Sequence, residues 1–125
     1  AARPLDFGHW SAHKLEQLSG YDIRHGEAVA IGVALDTVYS TLAGNLPEPE
    51  ADRVLACLLA LGFDLDHPLL DDPRLIEGLD EFREHLGGEL TISLLRAIGN
   101  AYDTHAIDPA LVRESIARLR DFTSP

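Results

Sequence analysis

A mainly α fold, a multi-helical domain with at most a small two-stranded β element, is what this chain predicts, on three observations. Apolar residues recur at helical spacing over several stretches. Glycines stand where those stretches stop, at Gly20, Gly44, Gly62 and Gly87-Gly88. Asp72-Pro73 and Asp108-Pro109 each join an N-cap side chain to a proline whose missing N–H is no loss in a first helical turn.

In chain order, the first helix is expected from about Gly8 to Ser19, with Leu15 and Leu18 among its apolar positions and Gly20 as its end. Tyr21 to Arg24 makes a short turn. The second helix, roughly His25 to Ala43, carries Ala28, Val29, Ile31, Val33, Leu35, Val38 and Leu42, so little polar surface remains and it should be central and buried. Gly26 and Gly32 lower its helix propensity, which points to close approach of a backbone, a ligand or a packed helix. Pro47 and Pro49 lead into an amphipathic third helix, Glu50 to Leu61, in which Cys57 is expected in the core. A polar loop runs from Asp64 to Pro68. Asp72-Pro73 opens a helix holding Ile76, Leu79 and Phe82, and Asp108-Pro109 opens the last, striped by Leu111, Val112, Ile116 and Leu119. Between them Glu89 to Leu95 alternates at first, suggesting a short strand paired with Ala101 to Ile107, with helix as the other reading.

A chain of 125 residues is one domain, residues 1–125, large enough for a core. Methionine is absent even at the first position, which suggests a processed product or, the reading favoured, a piece excised from a longer protein. Against 21 acidic residues stand 10 basic ones, nine of them arginine, for a net charge of -11. Such a balance, with no cluster of Lys and Arg free of interleaved acids, argues against nucleic acid and anionic lipid as partners. One cysteine, no signal peptide and no apolar run of membrane-spanning length make the cytoplasm the expected compartment.

Chemistry concentrates near the start. His9 and His13, at i and i+4, share a helical face with Cβ atoms ~6 Å apart, and Glu16 lies nearby. His25 opens the next helix as His25-Gly26-Glu27. At a helix N-terminus the positive dipole end disfavours the imidazolium, leaving a neutral ring free to bind metal. Two histidines make half of a divalent metal site and call for a further donor, which the carboxylate of another chain segment could supply. The plainer alternatives are an exposed pair on α-helical surface, a turn cap at His25, and for Glu27 a complement to the helix dipole. His67, His85 and His105 fall in loops or at helix ends and read as surface.

The run Leu5-Asp6-Phe7-Gly8-His9-Trp10-Ser11-Ala12-His13-Lys14-Leu15-Glu16, followed by His25-Gly26-Glu27-Ala28-Val29-Ala30-Ile31-Gly32, resembles the metal-binding region of 3-dehydroquinate synthases and related sugar phosphate cyclases. That family's pattern is L-N-F-G-H-x-x-x-H-x-x-E, then H-G-E-x-V-x-I-G, with sixteen positions from the first histidine to the last, as between His9 and His25. The likeness extends more loosely through Gly87-Gly88-Glu89-Leu90 to Gly99. It implies that the chain is the family's C-terminal helical domain, binding metal and substrate. It also implies that an N-terminal domain outside this chain binds NAD and adds a glutamate ligand. His9 and His25 would hold a divalent metal, zinc or cobalt, and His13 would contact the substrate and its phosphate. The implied reaction oxidises a sugar phosphate alcohol transiently with NAD, eliminates phosphate, returns the hydride and closes a carbocycle.

Asp6 departs from the family's asparagine, and a lysine-rich phosphate-contacting segment reads here as Phe82-Arg83-Glu84-His85. These changes resemble cyclases of the 2-epi-5-epi-valiolone synthase type, whose seven-carbon sugar phosphate lacks a carboxylate. Asp6 and Arg3 are therefore candidate substrate contacts beside His13, with ordinary surface arginine the alternative for Arg3. Partners implied are a small sugar phosphate, the N-terminal NAD-binding domain and, left open, a second copy in a homodimer. Two other functional readings stay open: a metal-dependent alcohol dehydrogenase of the related superfamily, and a non-enzymatic helical interaction domain.

Overall fold

A computed structural model describes residues 9–76, 92–97, 100–104 and 108–123. Helix α1 spans His9–Leu18, α2 His25–Leu42 and α3 Glu48–Ala60. A 3-10 turn at Pro68–Asp71 precedes α4, of which residues 73–76 are described. Strands β1 (Ile92–Ala97) and β2 (Asn100–Thr104) form an antiparallel pair, and α5 spans Pro109–Thr123. The expected mainly helical plan with one small β element is what folds. Leu79, Phe82 and Gly87-Gly88 lie outside the described residues, as do Arg3, Asp6, His85 and His105.

Helix α2 is the axis of the domain, in contact with α1, α3, α5 and β1. Its sequence explains why. Ala28, Ile31, Leu35 and Tyr39 recur at three- and four-residue steps and join one apolar cluster with Ala12 and Leu15 of α1, Leu70, Leu75, and Val112 and Ile116 of α5. Ala30, Ala34 and Val38 occupy a neighbouring face and form a second cluster with Leu55 of α3, Leu65 and Leu119 of α5. Two buried faces on one helix leave no room for the broad polar side of a surface helix. Alanines on the second face let α3 and α5 come close. Gly32 is buried on this helix, whereas Gly26 is exposed and a Cβ placed there meets nothing within 4 Å. The expected close approach at Gly26 is therefore not to another described part of this chain.

Cys57 corrects the sequence expectation, because it is exposed rather than in the core. Ala51 and Leu55 are the buried residues of α3, one turn apart, and Leu58 extends their face. Cys57, two residues beyond Leu55, is rotated by ~200° to the opposite side. An unbroken apolar run conceals this, since Leu59 and Leu61 are also exposed, at 37% and 69%.

Helix ends follow the predicted chemistry. Gly20, Gly44 and Gly62 adopt φ of +64°, +83° and +92°, the left-handed conformation that glycine reaches without a Cβ clash. Asp108 Oδ1 accepts the Ala110 N–H at 2.9 Å, while the Asp108 N–H donates to the Tyr39 hydroxyl at 3.0 Å and ties the start of α5 to α2. Burial pushes the Tyr39 pKa up. At the far end of α5, Arg120 donates to Asp66 at 2.8 Å, Asp71 at 2.5 Å and the His67 carbonyl at 3.2 Å, fastening the loop that carries buried Leu65. His67 is structural: its Nδ1 accepts the Leu69 N–H at 3.1 Å and caps the 3-10 turn.

Asp72 caps α4 by accepting the Arg74 N–H at 2.9 Å, and the Arg74 guanidinium closes on the same carboxylate at 2.6 Å. The Arg74 side chain, then its backbone N–H, and more weakly the charge of Lys14 lower the Asp72 pKa from 3.8 to about 2. A folded-state pKa below the unfolded value contributes stability above the unfolded pKa, and loses it as pH falls through the folded one. Asp72→Asn keeps the cap but drops the charge. The variant should therefore be less stable than wild type above about pH 4, with the difference closing by about pH 2. Acid unfolding followed by circular dichroism reads this, and a difference constant with pH would contradict it.

Residues Ile92 to Ala97 resolve the strand-or-helix alternative in favour of strand. Pairing runs Ile92 with Thr104, Leu94 with Tyr102 and Ala97 with Asn100, with an irregularity between Leu95 and Ala97. Of the expected spans, Glu89 to Leu95 and Ala101 to Ile107, residues 89–91 and 105–107 lie outside the described residues.

Candidate functional site

Helices α1 and α2 pack together, joined by the turn at 19–24. This turn is closely tied. Tyr21 N–H and the Ser19 hydroxyl both donate to the Glu16 carbonyl, at 2.7 and 3.0 Å, and the Ile23 N–H donates to Ser19 Oγ at 3.2 Å. Ile23 is buried in the core cluster beside Leu15 and Ala28. Tyr21 takes φ +65°, a left-handed conformation that costs a non-glycine residue on the order of 1 kcal/mol or more. The chain accepts that strain in returning from the end of α1 to the start of α2.

The result is a defined contact between the two helices. His25, first residue of α2, places Nδ1 2.9 Å from Glu16 Oε1 near the end of α1. A carboxylate can only accept, so Nδ1 is the donor of this hydrogen bond, and in a neutral ring Nε2 carries the lone pair. The imidazole is 77% exposed whereas the Glu16 side chain is 19% exposed, so the acid lies beneath and the ring above it. Nε2, on the opposite edge of the ring, is the available donor.

Of the other sequence-derived residues, His9 opens α1 and His13, one turn later, is exposed, on the side of the helix away from buried Ser11 and Leu15. The described geometry brings together His25 and Glu16. Glu16 was noted from sequence as a neighbour of the first two histidines and as the last position of the first motif, without a role. Its position three residues after His13 and just before the Gly20 stop was the available signal for its role. Lys14, the chain's sole lysine, is buried and donates to Gln17 Oε1 at 3.0 Å. Among the described residues no three His, Cys, Asp or Glu side chains group to hold a metal ion.

A cavity of about 240 Å³ lies elsewhere, between the end of α2, the start of α3 and the end of α5. Val38, Thr41, Glu48, Leu55, Arg118 and Phe122 contribute to its walls, and no histidine is among its described lining residues. Arg118 stands 3.7 Å from Glu48 there. A larger cavity, of about 310 Å³, lies beside Leu70, Asp72, Pro73, Arg113 and Ile116, again with no histidine among its described lining residues, whereas the available imidazole nitrogen lies at the α1–α2 turn.

The family model for the 3-dehydroquinate synthase C-terminal region matches residues 1–83. The chain belongs to this family. It is 38% identical over 123 residues to a 3-dehydroquinate synthase of Paracoccus denitrificans, covering 93% of this chain and 34% of that protein. A 2-epi-5-epi-valiolone synthase of Streptomyces albus is 32% identical over 107 residues, 86% of this chain and 26% of the relative. Among solved structures, ValA, the 2-epi-5-epi-valiolone synthase of Streptomyces hygroscopicus subsp. jinggangensis 5008 with NAD+ and Zn2+ bound, matches with a TM-score of 0.89 at 28% identity. That match covers 95% of this chain and 33% of the other. The chain thus spans about a quarter to a third of the length of these family members. No described helix is long and apolar enough to cross a membrane.

Proposed function

We propose that this chain is the C-terminal metal- and substrate-binding part of an NAD- and divalent-metal-dependent sugar phosphate cyclase, an enzyme that eliminates phosphate and closes a carbocycle. One observation carries the reading beyond family membership: His25 is exposed, with one ring nitrogen engaged by Glu16 and the other available. Such a ring fits a divalent ion by its chemistry, as a neutral imidazole whose tautomer is already selected. His9 and His25 would hold the ion, with a carboxylate from the N-terminal region as third ligand. When bound, the metal supplies Lewis acidity toward an alcohol oxygen, and NAD supplies reversible oxidation of that alcohol. His13, on the exposed side of α1, contacts the substrate phosphate and holds or passes its proton. Asp6 and Arg3 are further substrate contacts. Family membership favours this reading over an alcohol dehydrogenase or a helical interaction module.

The substrate is proposed to be a seven-carbon ketose phosphate without a carboxylate. Asp6 adds negative charge three positions before His9 in the sequence, and Glu84 adds another where the family carries lysine. Like charges in a partly dehydrated pocket disfavour an anionic substituent. In full-length protein supplied with NAD and metal, phosphate should be released faster from the carboxylate-free substrate than from the heptulosonate phosphate used by 3-dehydroquinate synthases. Preferential turnover of the heptulosonate overturns the substrate assignment and leaves the cyclase reading standing. Phosphate release from neither substrate overturns the cyclase reading.

A further inference from the structure

The structure assigns Glu16 a task that rests on the metal reading above: we infer that it is a positioning residue, whose carboxylate selects the tautomer and fixes the direction of the His25 imidazole for metal binding. Three observations support it. Glu16 Oε1 and His25 Nδ1 are 2.9 Å apart, a charge-assisted hydrogen-bond distance. The carboxylate is the more covered partner and the ring the more exposed one, so Glu16 supports the imidazole from below while Nε2 faces outward. The backbone between them is held by its own bonds, Tyr21 N–H and Ser19 Oγ to the Glu16 carbonyl and Ile23 N–H to Ser19 Oγ.

Those bonds distinguish the pair from a surface ion pair whose long side chains must be immobilised for a small gain. Here the turn has already fixed the distance, so orienting the ring costs little further entropy. The acid acts on the metal only through His25. It would raise the basicity of Nε2 and hold the ring in one orientation, both of which strengthen ligation.

The test uses the full-length protein with zinc, its affinity read by competition with a chromophoric chelator. Glu16→Ala should weaken zinc binding by roughly 10- to 100-fold while still binding one ion per chain at saturation. Glu16→Gln keeps an acceptor oxygen for the Nδ1 proton without the charge, so its affinity should fall between those of wild type and Glu16→Ala. In a His25→Ala background, Glu16→Ala should cause no further loss, because the acid acts through that ring. Thermal unfolding of the metal-free variants checks that each folds, and the isosteric Gln variant keeps the test open should Ala unfold. Wild-type affinity in both Glu16 variants overturns the inference. So does an equal loss from Glu16→Ala with and without His25. If His25→Ala weakens zinc binding and the Glu16 variants do not, only the positioning role fails. If His25→Ala leaves affinity unchanged, the metal reading fails and this inference with it.

Discussion

Full-length protein carrying His25→Ala should lose its divalent metal and, with it, its turnover. The expected magnitude follows from the position of the ring. A residue that merely supports a ligand costs roughly 10- to 100-fold in affinity when removed, so deleting a ligand from a three-residue set should exceed about 100-fold. His9→Ala should do the same from the other helix. Metal content after dialysis, measured together with phosphate release, reads both effects. Undiminished stoichiometry in both variants would remove the metal assignment, since neither ring could then be a ligand. His13→Ala provides the contrast. It should retain the metal and lose turnover, because its proposed contact is with the substrate phosphate.

The second large effect concerns stability. Leu35 is 1% exposed at the middle of α2, in the cluster that joins α1, the segment around Leu70 and Leu75, and α5. Truncation to alanine removes buried methyl groups and leaves a cavity whose walls belong to several elements, so collapse is restricted. About 2–5 kcal/mol is the expected cost. In hydrogen exchange of the full-length protein, the slowest α2 amides should lose protection by about 30-fold to more than 1,000-fold, at roughly 1.4 kcal/mol per tenfold. Unchanged exchange would show that Leu35 is not a structural centre. Leu61→Ala, at a residue 69% exposed, should leave the same amides unaffected.

Residues that act through their immediate neighbours were legible in the chain alone. Asp72 and Asp108 cap helices because a short carboxylate reaches N–H groups two residues ahead, and proline follows without loss. Gly20, Gly44 and Gly62 mark left-handed stops for an equally local reason. The dense apolar pattern of α2 announced a central helix, since a helix apolar around most of its surface can be stable only when enclosed. For the candidate site, the spacing of His9, His13 and His25 and the motif around them carried the family resemblance.

What escaped the sequence depends on which neighbours are present. Cys57 sits in an unbroken apolar run, and no periodicity within that run distinguishes the face of α3 that meets α2. Packing selects Ala51 and Leu55, and Cys57 is turned outward. Residues 92–97 could alternate as a strand or continue as a helix, and the partner strand Asn100–Thr104 decides. Lys14 is buried although a lysine on an amphipathic helix is ordinarily placed outside.

By itself, then, the sequence determined the starts of α2 and α5, the glycine stops after α1, α2 and α3, the central place of α2 and the identity of the histidine-bearing helices, because caps, stops and periodicity act over one or two turns. Only the tertiary structure decided that Glu16 lies beneath His25. The two residues are on different helices, and their 2.9 Å contact exists because the Ser19–Tyr21 turn, anchored by buried Ile23, folds the start of α2 back over the end of α1.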